Sequence, residues 1–356
     1  MIRKVVLGMS GGVDSSVSAV LLKKEGFEVT GVTFQIWDWR VTEDMATCCS
    51  LVSAETAKRV CEELGIRHKI LDLRDAFADK VIEDFYSEYS RGYTPNPCVR
   101  CNRFIKFDFL LREADRLGAE YIATGHYARI EAMNNRYILK KGVDFRKDQS
   151  YFLYVMTQKQ LGHTIFPLGS LTKDRIRKLA REMGLPAAER PESQEICFIP
   201  EDNYPLFLKN LIPEKIIPGV IIDKKGKRLG THKGICLYTV GQRKGLGIAA
   251  PKPLYVINID AETNTIVVGE KEDAYGSDLI ADDVNWVAID GLNSTIRLKA
   301  RIRYAMKETE ATIEPLSDKM VKVRFDEPQW AITPGQSVVF YDGDVVVGGG
   351  IINRNY

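Results

Sequence analysis

A short apolar run, Ile2-Arg3-Lys4-Val5-Val6-Leu7, opens into Gly8-Met9-Ser10-Gly11-Gly12-Val13-Asp14-Ser15-Ser16, and apolar residues at helical spacing follow from Val17 to Lys24. The pattern predicts a strand, a glycine-rich turn and a helix. In such a unit Gly11 and Gly12 let a ligand approach the backbone and present amide N–H groups. Ser10, Ser15 and Ser16 add hydroxyls, and the helix start adds the positive end of its dipole. The result is an anion cradle of phosphate size. It is not a Walker A loop, because no Gly-Lys-Ser/Thr ending follows. Asp14, an acid beside the cradle, points instead to Mg²⁺ held jointly with phosphates.

The rest of the chain bounds what the cradle serves. Its 356 residues allow two or three domains, and 45% hydrophobic with 28% charged residues is an ordinary globular composition. A net charge of +2 means that any nucleic-acid surface must be a local patch. The opening apolar run is cut short at Ser10, so no signal peptide is expected, and no apolar stretch approaches the ~20 residues that span a bilayer. Seven cysteines at low density suggest a reducing cytoplasm, where clustered cysteines serve metal or catalysis rather than disulfides.

Strands are expected over 28–34, 67–71 and 120–124, with helices over 52–64 and 75–89 between them. That β-α alternation implies a parallel sheet with helices on both faces. Ligands of such sheets sit beyond the carboxyl ends of the strands. Phe34 at one such end either borders an adenine or is a core aromatic, and Gly125 at another allows close approach. His126 is either a turn cap or catalytic. Cys48-Cys49 reads as a helix entry and Cys61 as packing. Tyr93-Thr94-Pro95-Asn96-Pro97-Cys98-Val99-Arg100-Cys101-Asn102 reads as a stiff exposed loop with Asn102 capping the next helix. A cysteine at a helix start has a lowered pKa, and the neighbouring Arg100, Arg103 and Lys106 add to that.

Asn134-Asn135 marks a hairpin within 129–140. Lys147-Asp148-Gln149-Ser150-Tyr151-Phe152-Leu153-Tyr154 is either a nucleic-acid grip, with phosphate to Lys147 and base to Gln149, or a capped helix start. A helix capped by Thr172 is expected to Met183. Beyond Leu211 short β segments take over, with strands expected over 216–225, 233–240 and 255–260, and a basic loop at Gly241–Gly247. From Gly276 onward alternating strands suggest a small barrel. Within it Arg297, Lys299, Arg301 and Arg303 share one strand face, either an electrostatic footprint for a phosphate backbone or a solvated face.

Taken together, Gly8–Ser16, Thr94-Pro95-Asn96-Pro97 with Cys101-Asn102, Ala123-Thr124-Gly125-His126-Tyr127, Lys147-Asp148-Gln149-Ser150-Tyr151, Glu192–Phe198 and Tyr238-Thr239-Val240-Gly241-Gln242-Arg243 resemble the tRNA-specific 2-thiouridylase family over essentially the whole length. The loop alone resembles that of ATP pyrophosphatases. The resemblance implies replacement of O2 of a wobble uridine by sulfur. O2 would attack the α-phosphate of ATP, and sulfur would then displace AMP. It implies ATP binding by Gly8, Met9, Ser10, Gly11, Gly12, Val13, Asp14 and Ser15, with Phe34 and Gly125. It places a catalytic cysteine on Cys101 and a persulfide on Cys197. It puts target-base contact on Asn96, Pro97 and Cys98, and tRNA contact on Lys147, Asp148, Gln149, Arg303 and Tyr304. The base must leave its stack to be reached.

Two positions depart from the best-known branch of that family: Phe34 stands for a methionine and Cys98 for an aspartate. Cys98, Cys101 and Cys197 thus make a three-thiolate set, which in related thiolases holds a [4Fe–4S] cluster with one iron open to sulfide. The alternative is a persulfide relay from Cys197 to Cys101 without a cluster. Other classes to weigh are an amide ligase with the same loop and a non-catalytic RNA-binding protein. The expected architecture is α/β: a Rossmann-like, adenine nucleotide α-hydrolase catalytic domain over 1–203, a small β-rich domain over 204–274, and a tRNA-contacting β-barrel over 275–356. The expected partners are tRNA and a sulfur donor, either a persulfide carrier protein or free sulfide, with no membrane and no DNA.

Overall fold

The computed structural model describes residues 2–37, 51–188, 196–199 and 203–353. Asp38-Trp39-Arg40, Cys48-Cys49 and Glu192–Glu195 therefore lie outside the described residues. The chain forms two compact units: 1–81 with 98–202 and 343–346, and 82–97 with 203–342 and 347–356.

The first unit is built on β1 (Lys4–Gly8), α1 (Val13–Lys24), β2 (Glu28–Gln35), α2 (Leu51–Glu63) and β3 (Arg67–Asp72). Next along the chain come α3 (Arg74–Phe77), a π-helical turn at Ala78–Ile82, and α4 (Glu83–Ser90), which belongs to the second unit. The next helical run is α5 (Pro97–Cys101), a π-helical turn at Asn102–Lys106, and α6 (Phe107–Leu117). After it come β4 (Tyr121–Ala123), the hairpin β5 (Ala128–Met133) and β6 (Arg136–Lys141), α7 (Gln158–Gly162), β7 (Thr164–Ile165) and α8 (Lys173–Glu182).

The sheet order is β3-β2-β1-β4-β7, with all pairings parallel, as the β-α alternation implied. One core packs Val5, Leu7 and Met9 of the first strand and turn with Ala19, Leu22, Ala57 and Val60. A second packs Val13, Val17 and Val20 of α1 with Ile176 and Ala180 of α8. These apolar stripes hold both ends of the glycine-rich turn in place, each fully buried aliphatic side chain contributing about 1.5–3 kcal/mol. The hairpin turn is the expected one, with Asn134 and Asn135 at φ 51° and 61°.

The second unit holds α9 (Tyr204–Leu211) and a small sheet ordered β10-β11-β8-β9, from β8 (Gly219–Asp223), β9 (Arg228–His232), β10 (Tyr255–Asp260) and β11 (Thr265–Gly269). The strand expected over 233–240 is instead a short 3₁₀ turn at Ile235–Leu237, buried among core residues. A continuous apolar run there reports burial, not extension. The strands β12 (Tyr275–Trp286), β13 (Ile296–Arg301), β14 (Thr309–Ser317), β15 (Met320–Trp330), β16 (Ser337–Asp342) and β17 (Val345–Asn353) run in the order β12-β15-β14-β13-β16-β17. Pairing of β12 with β17 closes them into a barrel. Leu279, Leu298, Ala300, Ile313, Val323 and Phe340 fill its interior.

Candidate active site

The glycine-rich turn after β1 leads straight into α1. Gly11 sits at φ +71°, and a Cβ built there would lie 2.0 Å from the Ser53 carbonyl oxygen. Only glycine meets both conditions. Ser15 Oγ donates to the Gly12 carbonyl at 3.1 Å and accepts from the Ser10 amide at 3.3 Å. Ser16 Oγ donates to the same carbonyl at 2.9 Å and is buried, so it braces the turn rather than facing a ligand. Among the described residues no side chain caps α1, whose N-cap is Gly12. An anion at this end would find the first-turn amides and the positive end of the dipole. Gly125 closes one side: a Cβ there would stand 3.0 Å from the Asp14 carbonyl carbon and 3.1 Å from the Ser15 amide nitrogen. Met9 and Val13 are buried under the turn, and Phe34 is half-buried at the carboxyl end of β2.

Asp14 is engaged within its own unit. Lys173 Nζ lies 2.8 Å from both of its carboxylate oxygens, and Tyr127 donates its phenol to Oδ1 at 2.6 Å. The carboxylate expected to share Mg²⁺ with phosphates is thus matched by a buried ammonium. Sequence reasoning missed Lys173, which appears there only as the residue after the Thr172 cap. The fold brings it across 159 positions.

His126 is half-buried beside the cradle. Lys106 donates to its Nε2 at 3.3 Å, so the neutral ring carries its proton on Nδ1 and donates to Thr124 Oγ1 at 2.7 Å. Burial, reinforced by the Lys106 charge, lowers its pKa well below the ordinary value. Burial also lowers the pKa values of His68 and His232. Below about pH 6.5 the unfolded chain binds protons that these folded rings refuse, so stability present above that pH is lost as pH falls. The unfolding free energy should therefore decline from pH 7 to 5.5, at up to about 1.4 kcal/mol per pH unit from His126 alone. Denaturant titrations of wild type and His126→Gln check this; equal slopes in the two proteins would refute it.

The cysteines among the described residues fall into two kinds. Cys61 and Cys236 are buried, and burial with the Glu62 charge pushes the Cys61 thiol up to about 12, an inert packing group. Cys98, Cys101 and Cys197 are reduced and half-buried. The expected loop is not what carries the first two. The helix begins at Pro97, whose fixed φ suits a first helical position, so Cys98 lies in the first turn and Cys101 a turn further in. Asn102 is consequently not a cap: it is buried in the helical run and donates to the Phe152 carbonyl at 3.0 Å. Cys197 sits in a turn whose next residue, Phe198, packs edge-on against Phe77 of α3 at 5.5 Å. Among the described residues no set of three or more His, Cys, Asp or Glu is arranged to hold a metal ion.

The expected RNA contacts divide by burial. Asp148 is buried, and its carboxylate accepts from the Gly142 amide at 3.0 Å, the Ser150 amide at 3.1 Å and the Ser150 hydroxyl at 3.0 Å. That side chain clamps a turn and is not a surface contact. Gln149 Oε1 accepts from the Tyr127 amide at 3.0 Å, and Tyr151 and Tyr154 are core residues, so the aromatic grip is not formed by them. Lys147 is half-buried.

In the second unit Asn96 is half-buried and Pro97 buried, while Thr94 and Pro95 are tied down by Gln336 Nε2 at 3.0 and 3.2 Å. The basic face of β13 alternates as expected, but its charges are matched: Arg297 with Asp326 at 2.6 Å, Lys299 with Glu310 at 3.8 Å, and Arg301 with Glu308 at 2.8 Å. Arg303 Nη2 donates to the Val240 and Ala331 carbonyls at 3.0 and 3.1 Å and to Thr333 Oγ1 at 2.5 Å. That face is a paired surface rather than an unbalanced footprint, and Arg303 is a tie within its unit. Tyr304 is 38% exposed.

The tRNA methyl transferase HUP domain model matches residues 3–201, the tRNA methyl transferase PRC-barrel domain 206–270, and the aminomethyltransferase β-barrel domain 277–352. The tRNA-specific 2-thiouridylase MnmA 1 of Caldanaerobacter subterraneus subsp. tengcongensis is 55% identical, over 99% of this chain and 98% of its own. The chain belongs to the tRNA-specific 2-thiouridylase family. Other 2-thiouridylases agree: MnmA 2 of the same organism is 53% identical over 99% of this chain and 98% of its own, and MnmA of Clostridium botulinum is 52% identical over 98% of each. Among the described residues no helix is long and apolar enough to cross a membrane.

Proposed function

We propose that the protein is an ATP-dependent tRNA sulfurtransferase that converts the wobble uridine to 2-thiouridine. The observation that carries this is the full-length identity to named tRNA-specific 2-thiouridylases, joined to a brace-built anion cradle at the start of α1. ATP lies with its phosphates on the turn Gly8–Ser15 and its adenine toward Phe34. Uridine O2 attacks the α-phosphorus, pyrophosphate leaves, and the adenylated oxygen later departs with AMP as sulfur arrives at C2. The amides of the first turn of α1 hold the charge that builds up on the phosphates. Asn96, Pro97 and Cys98 meet the extruded base, and Lys147 meets the RNA backbone.

Sulfur travels as a persulfide on Cys197: its outer sulfur attacks C2 as AMP leaves, and the Cys101 thiolate then attacks Cys197 Sγ, breaking the S–S bond and leaving a Cys101–Cys197 disulfide that an external thiol reduces before the next turnover. The other reading, a [4Fe–4S] cluster on Cys98, Cys101 and Cys197 with one iron open to sulfide, is what the metal measurement below separates from this route. Cys98, in the first helical turn, is where the dipole most favours thiolate. The deciding experiment uses anaerobically purified protein, an unmodified tRNA transcript, ATP and a persulfide donor. Iron, labile sulfide and zinc are measured in parallel. The expected result is thiolation with pyrophosphate release and no dependence on iron. Cys101→Ser and Cys197→Ser are each expected to lower thiolation at least ~10³-fold while tRNA-dependent pyrophosphate release persists. Activity that tracks about four irons per chain would return the three cysteines to cluster ligation.

A further inference from the structure

Lys173 has no place in the reaction as proposed, yet its pair with Asp14 is closely built into the first unit. The Lys173 side chain is 6% exposed and that of Asp14 is 33% exposed. The ammonium reaches both carboxylate oxygens equally, and the Tyr127 phenol adds a third hydrogen bond to one of them. The same ammonium lies 5.7 Å from the centre of the Tyr127 ring. Lys173 is itself anchored: its amide donates to Asp144 Oδ2 at 3.0 Å, and Asp144 is buried and held by Arg146 at 3.1 Å. Asp14 lies in the first turn of α1, the turn whose amides make the anion cradle. An uncompensated carboxylate there opposes the dipole's attraction for phosphate, because like charges a few ångströms apart in a poorly screened site repel strongly.

We infer that Lys173 is a positioning residue of the nucleotide site: it fixes Asp14 and cancels its charge, so that the glycine-rich turn presents net positive character to a polyphosphate. The inference rests on the ATP reading of the cradle. It requires no step in which Lys173 touches the reacting atoms. It makes the cost of losing Lys173 depend on how many phosphate charges the ligand carries.

The test is equilibrium binding of ATP, ADP, AMP and adenosine to the full chain in EDTA, which removes any metal contribution. The proteins are wild type, Lys173→Met, Asp14→Asn and the double variant. Lys173→Met is expected to weaken ATP binding at least ~10-fold, ADP and AMP progressively less, and adenosine less than ~2-fold. The double variant leaves no unmatched buried charge and is expected to bind ATP within ~3-fold of wild type. It also keeps the test open if Lys173→Met does not fold. Equal losses for ATP and adenosine, or a double variant no better than Lys173→Met, would overturn the inference. A wild type that binds none of the four fails the ATP reading itself, whereas ATP binding undiminished in Lys173→Met removes only the role of Lys173.

Discussion

Gly11→Ala is expected to abolish ATP-dependent thiolation and to destabilise the first unit by about 4 kcal/mol. Two terms add. At φ +71° a Cβ costs about 1–2 kcal/mol against the following carbonyl. The built Cβ would also lie 2.0 Å from the Ser53 carbonyl oxygen, a backbone atom of α2 that no side-chain rotation can move away. Either the turn opens or α2 shifts, and both undo the placement of the first-turn amides of α1. A loss of that size lies in the tail of single-substitution effects and corresponds to a fall in melting temperature of roughly 10 °C for a unit of this size. Thermal melts and ATP binding on the same preparation check it. An alanine variant that melts within 2 °C of wild type and binds ATP normally would show that the turn tolerates a side chain.

Asp148→Ala is the second large effect, and it separates a fold role from a contact role. The substitution strands two buried amides, of Gly142 and Ser150, and the Ser150 hydroxyl, which now share one carboxylate. Each unsatisfied buried donor costs about 1–3 kcal/mol, partly recovered by local rearrangement, so a net loss of about 3–4 kcal/mol is expected. Lys147→Ala, one residue away, is expected to leave the melting temperature within about 1 °C and to weaken tRNA binding with a shallower salt dependence. If Asp148→Ala keeps wild-type stability and loses only tRNA affinity, the buried-clamp assignment is wrong.

These contrasts show where residue patterns carry information and where they do not. The parallel sheet, the hairpin at Asn134-Asn135, the Thr172 cap and the inward alternation of Leu298, Ala300 and Ile302 were all legible, because each follows from local spacing and backbone preference. The starts of helices near proline were less so. Pro95 and Pro97 look alike in sequence, yet Pro97 opens a helix and carries Cys98 and Cys101 onto it. Charge was the least legible. Arg297, Lys299 and Arg301 alternate on one face as a footprint would, but Asp326, Glu310 and Glu308 face them from neighbouring segments.

By itself, then, the sequence determined the glycine-rich turn between β1 and α1, the α/β order of the first unit, the barrel strands and family membership, because these rest on residues adjacent in the chain or on motifs in fixed order. Only the tertiary structure decided which charges are matched. It put Lys173 on Asp14, closed Asp148 inside a turn, and set a neutral His126 against Lys106. The physical reason is that a side chain's charge state and availability depend on partners and on burial, and both are set by segments that meet only when the chain folds.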